Sequence, residues 1–345
     1  MLVNGIWSDV WQPVQSADTQ GRFIRQTSGF RHWITPDGSA GPTGEAGFPA
    51  EPGRYRLYVA LICPWASRTL MARQLKGLQA VIPVTVVNPT LGNEGWRFGG
   101  YRGTDDDPLF GFDHVHQLYT RADPTHTGRA TVPVLWDQKR NRLVNNESAD
   151  IVRMLDSAFD AYAGSRMRLY PSDLAAQIDT LNERLYVRLN NGVYQAGFAQ
   201  SQEAHDEAVN GVFEMLDELE DHLTGDYLFG ERFTETDIRL FVTLIRFDAA
   251  YHGLFKTNRR QIADYPRLSG YLQRILRMPG VAETVDMDHI TRGYYSIRSL
   301  NPSGIRPTGP AHVDAMLQGS SADDAARSPL DHRCSWSGAA NMRWR

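Results

Sequence analysis

Cys63 is one of two cysteines in a chain of 345 residues, and it stands in Leu61-Ile62-Cys63-Pro64-Trp65-Ala66, where a strand-like run gives way to a helix-like one. Proline suits the first turn of a helix, where its missing N–H costs no hydrogen bond. A sulfur at that junction faces the unsatisfied amide hydrogens of the helix start, whose dipole favours an anion by up to about 2 kcal/mol. That corresponds to roughly 1.5 pKa units, so the spacing predicts a raised thiolate fraction and a nucleophile. A buried structural cysteine is the competing reading, and the strand–helix junction with Pro64 tips the choice towards catalysis. Ala66 occupies the place where a Cys-x-x-Cys dithiol would carry its second thiol. A lone thiolate in disulfide exchange must be resolved by an external thiol, and glutathione is the abundant cytosolic candidate. Glu147-Ser148, at the start of another helix-like run, fits that candidate. A carboxylate and a hydroxyl beside free amides suit the ammonium and carboxylate of a γ-glutamyl group, although plain helix capping accounts for the same two residues equally well. His114-x-His116 and Asp105-Asp106-Asp107 have metal-ligand residue types, but no further ligand stands at metal-site spacing, so they read as a solvated loop with no metal.

The elements that must hold these groups come in a recognisable order. Arg54-Tyr55-Arg56-Leu57-Tyr58-Val59-Ala60 alternates and reads as a strand. Ser67 to Lys76 reads as a helix ended by Gly77, and Val81 to Val87 as a second strand. Residues 88–128 form a long polar excursion rich in Gly and Asp. Thr131 to Asp137 and Arg142 to Val144 then flank a turn, a hairpin followed by a helix from about Glu147 with Ile151, Met154 and Leu155 on one face. This β-α-β then β-β-α order is that of a thioredoxin-like sheet, in which Pro133 would be the cis-proline beside the ligand. From Leu174 the chain is helical: Leu174, Ile178, Leu181, Leu185 and Leu189 mark one face, and Val209, Val212, Phe213, Leu216, Leu219 and Leu223 another. Thr234-Glu235-Thr236-Asp237 reads as a capping box with Asp in place of Glu, and Leu268, Leu272, Ile275 and Leu276 as one more helix before Pro279-Gly280. The fold class is therefore α/β followed by all-α. Its expected parts are an extended arm (1–53), a thioredoxin-like domain (54–157), a helical domain (170–290), an extension over the site (291–310) and a disordered tail (311–345) that includes Cys334. The arm carries Trp7, Trp11, Phe23, Phe30 and Trp33, which predicts that it packs on the body, and its Gly41-x-x-Gly44-x-x-Gly47 reads as an irregular loop rather than a phosphate cradle.

Composition narrows the function classes. With 36 Lys+Arg against 40 Asp+Glu the formal net charge is −4, which offers no basic face for nucleic acid. No apolar run reaches membrane length, the N-terminus lacks a signal-peptide pattern, and two distant cysteines fit a reducing compartment. The expectation is a cytoplasmic protein without nucleic-acid or membrane partners.

Cys63-Pro64-Trp65-Ala66, Gly95-Trp96, Thr131-Val132-Pro133-Val134-Leu135-Trp136-Asp137, Asn146-Glu147-Ser148 and Asn301-Pro302-Ser303-Gly304-Ile305 together resemble the glutathionyl-hydroquinone reductases, the Xi class of the glutathione transferase superfamily. The resemblance runs from about residue 5 to Pro310. It implies a thioredoxin-like domain followed by an all-helical glutathione-transferase domain, a homodimer, glutathione as co-substrate, and neither metal nor flavin. It makes Cys63 the nucleophile, and Trp96, Arg129, Ala130, Thr131, Val132, Glu147 and Ser148 the glutathione contacts. Tyr194 would be the proton donor, with Tyr251 and Tyr294 lining the quinol pocket. Ile297-Arg298 departs from the family, which more usually has a histidine there. The implied reaction passes through a Cys63–glutathione mixed disulfide, frees hydroquinone from a glutathionyl-hydroquinone and ends with glutathione disulfide. A general thioltransferase or dehydroascorbate reductase, needing only Cys63 and the glutathione cleft, is the alternative enzyme. A non-catalytic binding module is the alternative from another class, and a conjugating transferase is disfavoured because those activate glutathione with Ser or Tyr.

Overall fold

The structure, a computed structural model, describes residues 1–8, 17–313 and 315–317; Trp11 and Cys334 lie outside them. Two short strands, β1 (Leu2–Val3) and β2 (Ile6–Trp7), pair antiparallel at the head of the arm. The central sheet is built from β3 (Tyr55–Val59), β4 (Val84–Val86), β7 (Val134–Asp137) and β8 (Arg142–Asn145), in the order β4-β3-β7-β8, with β4 parallel and β7 antiparallel to β3. Helix α1 (Pro64–Leu75) follows β3 and starts three residues earlier than the apolar spacing predicts, so that Pro64 is its first residue and Cys63 its N-cap. Gly77 stops it with φ +67, and a Cβ there would come within 2.8 Å of the Gly164 backbone, so the site demands glycine for both reasons.

The polar excursion is not without structure. It contains a hairpin of β5 (Leu91–Gly92) and β6 (Gly95–Trp96), and helix α2 (His116–Ala122). The acidic run is put to internal use: the Asp107 carboxylate accepts from the backbone N–H groups of Phe110 and Phe112, and also takes the Tyr58 hydroxyl hydrogen at 3.1 Å. The arm packs along the sheet edge, with His32 N–H donating to Val144 O (3.0 Å) and Asn146 N–H to Phe30 O (3.2 Å). Its glycine-rich loop is held by packing, since a Cβ on Gly41 would sit 2.3 Å from Trp33.

Helix α3 (Ser148–Ser157) closes the first unit. The second is wholly helical: α4 (Ala175–Leu185), α5 (Gly192–Gly197), α6 (Gln202–His222), α7 (Glu235–Arg246), α8 (His252–Leu254), α9 (Pro266–Leu276) and α10 (Met287–Tyr295). Single π-helical turns lead into α5 (Tyr186–Asn190) and α8 (Phe247–Tyr251); such turns often sit at functional sites. The capping box at Thr234–Asp237 is present, and Asp237 also takes hydrogen bonds from Leu228 N–H and the Tyr271 hydroxyl. Helix α1 packs between α3 and α7, making it the seam between the two units. Arg246, fully buried on α7, rivets that seam by donating to the carbonyls of Leu61 (2.8 Å) and Ile62 (2.9 Å) and to the Ser67 hydroxyl (2.7 Å). Among the described residues no helix is long and apolar enough to cross a membrane.

Two expectations at the C-terminus are corrected. Helix α10 runs across the 290/291 boundary, so the extension over the site is continuous with the helical unit. The first residues of the expected disordered tail are ordered: 311–313 are helical, Val313 is 5% exposed, and the partly exposed His312 ring meets the buried Asp248 carboxylate at 2.8 Å. Composition misled because one apolar side chain and one side-chain hydrogen bond suffice to dock a short segment. Burying a valine is worth about 1.5–3 kcal/mol. A chain ending at Pro310 is therefore expected to melt several degrees below one ending at Leu317, checked by calorimetry of the two truncations; equal melting temperatures would show the contact to be idle.

Candidate active site

Cys63 combines three structural inputs: β3 ends before it, α1 begins after it, and the Arg246 rivet fixes the two carbonyls that precede it. The sulfur opens into a cleft of about 830 Å³ between the two units. Trp96, Arg129, Ala130, Thr131, Val132, Glu147, Ser148, Tyr194 and Tyr294 all line the same cleft. Tyr251 does not. It is fully buried, one hydrogen bond behind the wall. Of the departing pair, Ile297 faces the cleft, whereas Arg298 turns away to donate to Pro302 O at 2.8 Å.

The cis Val132–Pro133 peptide brings the Val132 carbonyl 3.5 Å from the sulfur, and the Cys63 thiol donates to it. A hydrogen bond given by the neutral form opposes ionisation. Burial raises the thiol above its ordinary pKa and is the largest influence on it, outweighing the N–H groups of Ala66 and Trp65 and the positive charges of Arg246 and Arg25, which pull it down. The expectation of a depressed thiol pKa is thereby reversed: the helix start contributes as anticipated, but desolvation between two units wins. Because the neutral thiol persists until its raised pKa is passed, alkylation of the free enzyme by iodoacetamide is expected to be slow at pH 7 and to rise through and beyond pH 9. A midpoint below pH 8 in a rate-against-pH profile would contradict this.

On the opposite wall three hydroxyls form a chain. Tyr251 and Tyr294 oxygens are 2.8 Å apart and Tyr294 and Tyr194 oxygens 2.6 Å apart. Burial lifts Tyr194 above the ordinary phenol pKa, and Tyr251 and Tyr294 well above it, so all three hold their protons at neutral pH. A fully buried hydroxyl must satisfy its hydrogen internally. Tyr251 therefore donates to Tyr294, Tyr294 to Tyr194, and the Tyr194 hydrogen is left facing the cleft. The Phe255 ring anchors the group, 5.4 Å from the Tyr194 ring and 5.1 Å from that of Tyr251. It fits only because residue 197 is glycine, where a Cβ would stand 2.4 Å from the ring. Gly293 serves the same end on α10, since a Cβ there would be 2.3 Å from Ile62 and 2.6 Å from Pro89 O.

The residues proposed for glutathione are held from outside the motifs. The Tyr119 hydroxyl, on α2, donates to Thr131 O (2.9 Å) and accepts from Thr131 N–H and Asn146 Nδ2 (both 3.1 Å), which fixes the backbone at 130–132. Glu147 caps α3 by accepting from Ala149 N–H at 3.2 Å while its other oxygen takes the Ser28 hydroxyl hydrogen at 2.9 Å. Capping and exposure to the cleft thus coexist.

Sequence reading passed over Arg25. The arm lays its guanidinium 4.8 Å above Trp65 and 4.9 Å above Tyr194, with Nε on Asn191 at 2.8 Å, and its buried Nη2 has no protein partner. Arg68 covers Trp65 at 4.3 Å. Burial lowers Arg129 to about 10, which leaves it charged at neutral pH. The cleft is therefore cationic on one side, phenolic on the other, with the thiol between. Nothing local marks Arg25, because its partners come from α1 and α5.

The chain matches the family models described as the glutathione S-transferase N-terminal domain over residues 62–158 and C-terminal domain over residues 202–274. It is 50% identical over 312 residues to glutathionyl-hydroquinone reductase YqjG of Escherichia coli K12, covering 90% of this chain and 94% of that one. It is 47% identical over 313 residues to glutathionyl-hydroquinone reductase PcpF of Sphingobium chlorophenolicum, covering 90% and 96%. The glutathione-bound structure of YqjG superposes with a TM-score of 0.83 at 48% identity, covering 90% of this chain and 95% of that one.

Proposed function

Because the chain belongs to the glutathionyl-hydroquinone reductase family of glutathione transferases, we propose that it reduces glutathionyl-hydroquinones to hydroquinones at the expense of glutathione. The observation that carries this reading is one cleft bordered by a lone thiol at a helix start and by a chain of protonated tyrosines. A thiol alone serves disulfide exchange; a thiol facing a phenolic proton serves a reaction whose leaving group is carbon.

Glutathione and the glutathionyl part of the substrate lie against Trp96, the backbone of Arg129 to Val132, and Glu147-Ser148, with residues 54–157 as the glutathione-binding unit and 170–290 as the helical one. Cys63 loses its thiol proton to solvent, against the desolvation that disfavours the anion, and the thiolate attacks the glutathionyl sulfur. A sulfur–sulfur bond forms, the carbon–sulfur bond breaks, and the electron pair goes to the ring carbon, which takes the proton of Tyr194. Tyr294 and Tyr251 stabilise the resulting phenolate through their hydrogen-bond chain. A second glutathione then attacks the mixed disulfide, its thiol proton passing to the Tyr194 phenolate, which returns the Cys63 thiolate and releases glutathione disulfide. Sulfur is oxidised and ring carbon reduced, so neither metal nor flavin is required. The reaction suits a reducing cytoplasm, in keeping with a chain of only two cysteines. A homodimer accompanies this reading on the strength of the family pattern.

Incubation with a glutathionyl-hydroquinone followed by mass spectrometry tests the proposal. Free hydroquinone and a glutathione adduct on Cys63 are expected. Turnover of small glutathione mixed disulfides with no hydroquinone release would make the protein a thioltransferase instead.

A further inference from the structure

His114 and His116 read from sequence as a solvated loop, because no third ligand stands near them in the chain. Folding supplies one. The turn of the β5–β6 hairpin places Glu94 so that a single carboxylate oxygen, Oε2, lies 3.4 Å from His114 Nδ1 and 3.4 Å from His116 Nε2. All three ligand atoms fall within 4.8 Å of one another. A separation of 3.4 Å is longer than the usual N–H···O bond of about 2.7–3.2 Å. An ion bonded at about 2.0–2.1 Å, the length of zinc bonds to nitrogen and carboxylate oxygen, would draw these three atoms closer than their present spread of up to 4.8 Å. The geometry points to a divalent transition-metal site, of zinc type, held by Glu94, His114 and His116 with a fourth position open to water.

The surroundings supply what such a site needs. The Trp7 ring stacks on His116 at 4.6 Å, and the His114 and His116 rings lie nearly parallel, 14° apart, so both imidazoles are oriented before an ion arrives. Glu94 is 55% exposed, which gives an ion a path in from solvent. Two imidazoles with one carboxylate suit zinc, copper or nickel, whereas calcium and magnesium select oxygen ligands. The ion would join two segments, the hairpin turn and the start of α2, on which the arm packs through Trp7, whose Nε1 also donates to Asn93 O at 3.1 Å. Val115 N–H donates to Trp96 O at 2.9 Å, so the clamped segment is bonded directly to a wall residue of the cleft. Metal binding therefore stiffens the outer wall while contributing nothing to the reaction itself.

Cobalt(II) titration of the metal-free full-length protein tests the site, because cobalt reports its ligands by colour. One equivalent is expected to bind with visible d–d bands and without a thiolate charge-transfer band, to be displaced by zinc, and to raise the melting temperature. Loss of an outer partner of a metal ligand already weakens binding about 10–100-fold, so Glu94→Gln and His116→Gln are each expected to weaken it at least tenfold. Glu94 is exposed, so its variant keeps the fold. Unchanged affinity in both variants, a thiolate charge-transfer band, or no binding at millimolar cobalt would each overturn the proposal.

Discussion

Cys63→Ala is expected to abolish hydroquinone release, by a factor on the order of 10⁴–10⁶, the scale on which removing a covalent nucleophile acts elsewhere. No other side chain described in the cleft can accept glutathione as a disulfide; Cys63 is the free thiol of the described residues. The substitution removes one sulfur from a half-open position and leaves the Arg246 rivet on the preceding carbonyls untouched, so the fold should persist. Glutathione binding should persist too, because its proposed contacts lie on other elements. Stopped-flow assay of hydroquinone release, together with calorimetric binding of glutathione, separates the two effects. An enzyme that keeps its rate would remove the covalent mechanism; one that loses rate and binding together would make Cys63 a structural residue.

What the chain discloses locally and what it hides divide along a physical line. Cys63-Pro64 was legible because a helix start is decided by a few adjacent residues, and the Thr234–Asp237 capping box for the same reason. The α/β-then-α order follows from apolar periods, which each segment carries within itself. The acidity of the thiol was misjudged because the helix dipole is local, whereas desolvation is set by the closing of two units over the sulfur. Arg25, Arg246 and Tyr119 escaped notice because each acts on residues remote in sequence: Arg25 on α1 and α5, Arg246 on the loop before Cys63, Tyr119 on Thr131 and Asn146. Glu94 is the same case, completing a pair of histidines at the start of α2 from the turn of the β5–β6 hairpin. The tyrosines were assigned by resemblance alone, and their order along the chain of hydroxyls, with Tyr251 innermost, belongs to the tertiary structure.

That order makes Tyr194→Phe the substitution that separates a quinol reductase from a thioltransferase. Reducing an ordinary glutathione mixed disulfide expels a thiolate, which leaves readily without a proton. Reducing a glutathionyl-hydroquinone expels an aromatic carbon, which leaves poorly unless it is protonated as the bond breaks. A positioned acid contributes about 10²–10⁴-fold, equivalent to roughly 3–5 kcal/mol of barrier. Tyr194→Phe is therefore expected to slow hydroquinone release by that range and to spare the reduction of a small glutathione mixed disulfide. Tyr251→Phe should cost less, because it removes the innermost hydrogen bond of the chain and leaves the proton at Tyr194 in place. The comparison is a pair of steady-state assays on the three enzymes. Equal losses on both substrates in Tyr194→Phe would reduce that residue to a shaper of the cleft. A larger loss in Tyr251→Phe than in Tyr194→Phe would reverse the direction of the hydroxyl chain, since the proton would then have to leave from the end that the structure buries.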